Sequence, residues 1–385
     1  MSITLLSTEL LQRIYEYATI HDALHLSQTS KRNYRAFLGR RMPIMYQAMH
    51  NSYGPLPELV KLVISNEQDR SRRPMGTELR RNNVVNRILE IPETPKLTIE
   101  LMKKMLEYGK VAETWAEVYP RLRWRFGSDS RRFLRSHERQ RLRQAIYIHW
   151  TYTSLFHDQT YTQFAPDPPV NSSQDDPRLR LLRAYPGTSL AQLSEFHFHI
   201  MQVIEHDLYP SNQVILDHYS HNLPWRSLEK LAWGERGNDY WRLVRAIMKF
   251  NPRDMLHLVE HTSTKTERAD FLRAQGPHFP DTPETLNEAL RVISAERSQE
   301  AKATSDPSLR VPYCHSFAVV FDLRQEDIEY WGGHETGIVD VSPAEIKEAT
   351  ARRSLHSQSA NNDLSLGSRG LGFLLSNAGI HVTED

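Results

Sequence analysis

Apolar residues recur along this chain at steps of three and four, in one short segment after another. Side chains at those steps share one face of a 3.6-residue helix, so the spacing predicts a mostly α fold of many short helices. The pattern is densest at the start. Leu10, Leu11, Ile14, Tyr15 and Ala18 make a stripe behind Ser7 or Thr8 as cap, and Glu9 sits where a negative charge suits the helix dipole. Asp22 offers a cap ahead of Ala23, Leu24 and Leu26. Ser27, Thr29 and Ser30 offer another ahead of Tyr34, Phe37 and Leu38, and Gly39 can end that segment. Three helices in about forty residues sit at the size below which a domain rarely stands unaided. Some of these leucines must therefore pack on the rest of the chain or on a partner.

The order Leu6-x-x-Glu9-Leu10-Leu11-x-x-Ile14, followed by Asp22-x-Leu24-x-Leu26-Ser27-x-Thr29-Ser30-Lys31, resembles an F-box. Ser7 stands where the family has proline; proline would pre-set the first helical turn, and serine can cap it instead. The resemblance covers about forty of 385 residues and rests on apolar spacing. It implies a three-helix subdomain over residues 1–42 that docks on the Skp adaptor of a Skp–cullin–F-box ubiquitin ligase. Leu6, Leu10, Leu11, Ile14, Leu24 and Leu26 are then the candidate adaptor face, some of them shared with the core. The adaptor connects to cullin and RING subunits, and the rest of the chain would recruit a protein substrate.

Beyond residue 42 the pattern predicts an irregular helical body in two parts, 43–156 and 179–341, joined by a Pro-, Ser- and Asp-rich loop or linker at 157–178. Helical spacing is clear over 42–65, 97–119, 190–209, 227–233, 239–250 and 284–301. The charged stretch 66–83, with Pro74 and Gly76, reads as an exposed loop. His315–Leu323 is the best candidate for one of few short strands, and 342–385 reads as a poorly ordered tail rich in Ser, Asn and Gly. No propeller, leucine-rich or kelch-like period recurs, so a common repeat domain does not read the substrate.

Residues 121–143 hold nine arginines with Trp124, Phe126 and Phe133 interleaved. Arginines and aromatics together bind phosphates and stack on bases, which gives an alternative function in nucleic-acid or chromatin association. The competing expectation is a helix whose arginine stems cover apolar surface, because Leu142, Ala145, Ile146 and Trp150 form a stripe on its other side. The run into Tyr147-x-x-Trp150 is also similar to a pattern of fungal F-box-like proteins. A third reading is an F-box scaffold that binds the adaptor without ubiquitin transfer.

The chemistry-bearing residues point to no catalytic centre. A net charge of +1 gives no global field for nucleic acid or membrane. Cys314 is the single cysteine, which excludes an internal disulfide and a RING-type zinc cluster and suits the cytosol or nucleus. Glu9, Arg13 and Glu16 interrupt any signal-like apolar run, and no apolar stretch reaches membrane-spanning length. His197 and His199 are two apart and diverge on a helix. His218 and His221 can share a face but lack further ligands, so no metal or cofactor is expected. Gly367, Gly370 and Gly372 follow no strand, which argues against a phosphate loop.

Overall fold

A computed structural model describes residues 6–67, 77–123, 133–157, 176–218, 224–275 and 284–304. Every regular element among them is helical. The first five helices are α1 (Thr8–Tyr17), α2 (Ile20–Gln28), α3 (Lys31–Gly39), α4 (Arg41–Tyr53) and α5 (Leu56–Glu67). Then come α6 (Thr77–Leu89), α7 (Ile99–Arg123), α8 (Ser136–Phe156), α9 (Pro177–Arg183) and α10 (Gly187–Val203), which runs on into a π-helical turn, Ile204–Leu208. The last six are α11 (Asn212–His218), α12 (Trp225–Leu231), α13 (Asn238–Ile247), α14 (Pro252–His261), α15 (Lys265–Ala274) and α16 (Leu286–Thr304).

The opening trio does not stand alone. Leu11, Tyr15, Ile20, Ala23 and Phe37 belong to one apolar cluster that continues through α4, α5, α7 and the first half of α8. Helix α4 is the cover: Asn51 donates to the Glu16 and Ala18 carbonyls at the end of α1, and the Ser52 hydroxyl accepts the Ile20 N–H. These bonds satisfy groups that a helix end leaves without an intrahelical partner. Helix α8 is the central beam, buried on nearly every side. Its second half joins a smaller cluster with α6, α9, the start of α10 and α16. Trp115 of α7 is fully buried, edge-on to Phe196, and donates to the Pro252 carbonyl, which pins α14 to the core.

Three local expectations need correcting. Helix α2 starts at Ile20, with Thr19 as its cap; Asp22 instead takes the Thr19 hydroxyl at 2.7 Å from inside the first turn. The stretch 66–83 is not all loop, since α5 reaches Glu67 and α6 starts at Thr77. Its charge hid the helix: Arg81 is buried because its guanidinium donates at 2.7 Å to Leu155 O, near the end of α8. The two ends of 157–178 are also built into the fold, with His157 buried and α9 beginning at Pro177. The strand candidate 315–323, Cys314, Trp124, Phe126, Pro74, Gly76, His221, the tail 342–385 and its glycines lie outside the described residues.

The α4–α7 contact is tight at Gly109. A Cβ there would sit 2.6 Å from Cγ of the Tyr53 ring. Alanine gains about 1 kcal/mol over glycine in helix propensity, but overpacking costs about 1–3 kcal/mol. The contact is with the base of the ring rather than a flexible tip, so the clash wins. Gly109→Ala is expected to lower the urea midpoint; a raised midpoint would show that Tyr53 swings aside at little cost.

Candidate functional site

Helix α1 presents apolar residues on two sides. Leu11 and Tyr15 face inward and are fully buried; Tyr15 donates its hydroxyl to the Asn33 carbonyl and packs on Phe37, which fixes α1 against α3. Leu10, Ile14 and Tyr17 face outward, with Leu10 53% and Tyr17 83% exposed. Ser7 caps the helix, its backbone in the extended region and its hydroxyl toward the Leu10 N–H. Ser7 thus caps the first helix, as its position predicts.

Among the described residues eleven large apolar side chains are exposed, and seven of them are Leu10, Ile14, Tyr17, Leu24, Tyr34, Leu38 and Met42. All seven fall within the first 42 residues, and single exposed leucines are ordinary where clusters of them are not. Leu6, Leu10, Ile14 and Ala18 line an open, almost wholly apolar depression of about 550 Å³, with Arg13 and Asp22 at its edge.

The six sequence-predicted residues divide accordingly. Leu10, Ile14 and Leu24 are on the surface, and Leu6 and Leu26 are half-buried against the core. Leu11 lies wholly within the core. Sequence reading missed Tyr17, which follows Ile14 by three, and the outer face of α3. There Lys31, Tyr34, Arg35 and Leu38 fall at i, i+3, i+4 and i+7, and all are exposed. Arg41 and Met42 continue that exposed surface into α4. No Asp or Glu occurs between Asp22 and Glu58, so these cations sit on a locally basic, apolar-studded face.

Four of the six described arginines of 121–143 meet groups of the protein's own. Arg121 pairs with Glu260 at 3.1 Å, Arg123 lies 3.9 Å from Glu195, and Arg139 pairs with Glu113. Arg143 is buried rather than on the outer side of α8; it donates to the Ser52 carbonyl and lies 3.6 Å from Glu113. These guanidiniums join α7, α8, α4, α10 and α14. His197 and His199 diverge, the first toward Glu284 at 3.8 Å and the second toward Glu195 at 3.7 Å. Among the described residues no group of three or more His, Cys, Asp or Glu is placed to hold a metal ion, and no helix is long and apolar enough to cross a membrane.

No protein-family model matches the chain, and neither a curated protein nor a solved structure matches it.

Proposed function

We propose that the chain is an F-box-like substrate receptor: α1–α3 dock on a Skp adaptor, and the helical body recruits a protein for ubiquitination. The observation that supports this reading is the concentration of exposed apolar side chains between Leu10 and Leu38, on the helices that carry the sequence resemblance. A helix trio whose inner faces are already covered by α4 has no internal use for Leu10, Ile14, Tyr17 and Leu24 on its outside. Burying such side chains is worth about 1.5–3 kcal/mol each when contact is complete, so a partner covering several of them gains a stable interface. The cations of α3 favour a partner surface of negative charge around its apolar contacts.

In this reading the chain contributes proximity, holding a client within reach of the ligase, and no bond-making group of its own. The test is co-expression with the Skp adaptor, followed by reconstitution with cullin and RING subunits and a captured client. Co-elution and cullin-dependent ubiquitin transfer are expected. Cys314→Ser should leave transfer unchanged, because a tether needs no thiol. A ubiquitin thioester on Cys314, or transfer without cullin, would overturn the recruiting role; co-elution without transfer would leave a scaffold.

A further inference from the structure

The last described helix, α16, is held at its N-terminus by groups that depend on protonation. Thr285 donates its backbone N–H to Nε2 of His157, the residue that closes α8, at 3.1 Å. The same Nε2 lies 3.2 Å from the Thr285 hydroxyl, which also bonds the Tyr152 hydroxyl at 2.9 Å. A nitrogen that accepts an amide N–H must carry a lone pair, so His157 is neutral here with its proton on Nδ1. The Glu284 carboxylate completes the hold. One of its oxygens accepts the Leu286 and Asn287 N–H groups at 2.7 and 3.1 Å, capping α16, and the other lies 3.8 Å from Nε2 of His197.

The surroundings oppose a charge on the ring. His157 is buried, and the Glu284 side chain is only 9% exposed. Lys249, which precedes α14, the Asp176-paired Arg178 of α9, and His197 of α10 all bear on His157 from around it, with Glu284 as the counteracting anion. On α8 itself, His149 sits 5.8 Å from the His197 ring, and neither of its nitrogens has a hydrogen-bond partner among the described residues. Burial and these neighbours hold His157 down to about 3.

We propose that His157 and Thr285 form an acid-released latch: a proton taken up at Nε2 removes the acceptor of the Thr285 N–H and frees α16 from the body. The proton comes from solvent and occupies the lone pair that held the helix. Two N–H groups then face each other, and the new imidazolium sits beside Lys249 and Arg178. Relief comes from moving α16 away, which hydrates the ring and uncovers the apolar side chains of α9 and α8 that Leu286, Ala289 and Ile293 had covered.

Amide hydrogen exchange on the full chain, read helix by helix and corrected for the chemical exchange rate, tests this. With an ordinary value of 6.5 when open and about 3 when latched, opening of α16 should rise about 25-fold between about pH 7 and about pH 5. Helices α5 and α7, packed in the larger cluster, should stay better protected than α16 at every pH, because they open only with the whole body. His157→Gln keeps an acceptor oxygen and removes the titration, so its α16 exchange should lose the pH dependence. If that variant is loosened at every pH, the wild-type contrast between α16 and α5 decides. An unchanged α16 at pH 5, or a pH response that survives His157→Gln and vanishes in His149→Phe, would overturn the latch.

Discussion

Leu10→Asp is expected to abolish co-elution with the Skp adaptor and leave the melting temperature nearly unchanged, whereas Leu11→Asp, one residue on, is expected to unfold the N-terminal helices. The two positions are neighbours in sequence and opposites in space: Leu10 is 53% exposed and Leu11 is 0% exposed. A carboxylate at Leu10 stays in water in the free protein, and surface substitutions of that kind stay within about 0.5 kcal/mol. In the proposed complex the same carboxylate would have to be desolvated against an apolar partner with nothing to pair it, which costs several kcal/mol and removes binding. At Leu11 the desolvation is imposed by the fold itself, beside Tyr15, Phe37 and the α4 contacts. Losing a buried leucine alone costs about 2–5 kcal/mol, and the unpaired charge adds to it. A whole domain has only about 5–15 kcal/mol to lose. Circular-dichroism melts and size-exclusion co-elution with the adaptor read both outcomes. Normal binding by a folded Leu10→Asp chain would place docking elsewhere.

The contrast between those two leucines shows what spacing conveys and what it does not. Leu10, Leu11, Ile14 and Tyr15 all match a helical stripe, and the sequence reads them as one face. The stripe is broader than any single contact can cover. Tyr15 and Leu11 go to α3 and α4, while Leu10 and Ile14 turn away by about one residue's rotation. Periodicity identifies apolar residues, and only tertiary packing decides which half of a wide stripe is used. Elsewhere the local signals were present in the residues but carried by caps rather than by spacing. Asn251 followed by Pro252 starts α14, and Thr264 with Glu267 makes a reciprocal capping box for α15. The expectation of an exposed arginine face failed at Arg143 because its partners, Ser52 and Glu113, come from α4 and α7. The histidine cluster was illegible for the same reason: His149, His157, His197 and Glu284 meet only once α8, α10 and the start of α16 are packed. No motif at fixed spacing encodes such a meeting.

Stability is expected to form a plateau in pH, with an acid edge set by histidines and an alkaline edge set by tyrosines. His157 is held down to about 3 by burial first and by Lys249, His197 and Arg178 next, and His149 is lowered in the same direction by burial and the neighbouring histidines. For a histidine lowered in the folded state, the unfolded chain binds more protons below about 6.5. Its contribution is therefore complete above that value and is lost as pH falls toward the folded value. Each unit is worth about 1.4 kcal/mol, so His157 alone removes about 3 kcal/mol by pH 4, on the order of a third of a typical domain's stability. Glu284, held down to about 2 by hydrogen bonding and charge from His197, pushes the same way below about 4.5. On the other side, Tyr119, Tyr147, Tyr185, Tyr209 and Tyr240 are all raised above 10, chiefly by burial. Unfolding lets them ionise, so stability falls as pH climbs through 10. Urea midpoints taken from acid to alkali should be flat between about 7 and 9 and drop on both sides, with His157→Gln moving only the acid edge. A midpoint that holds constant from pH 7 down to pH 4 would mean that water reaches these rings in the folded chain and that their burial carries no protonation cost.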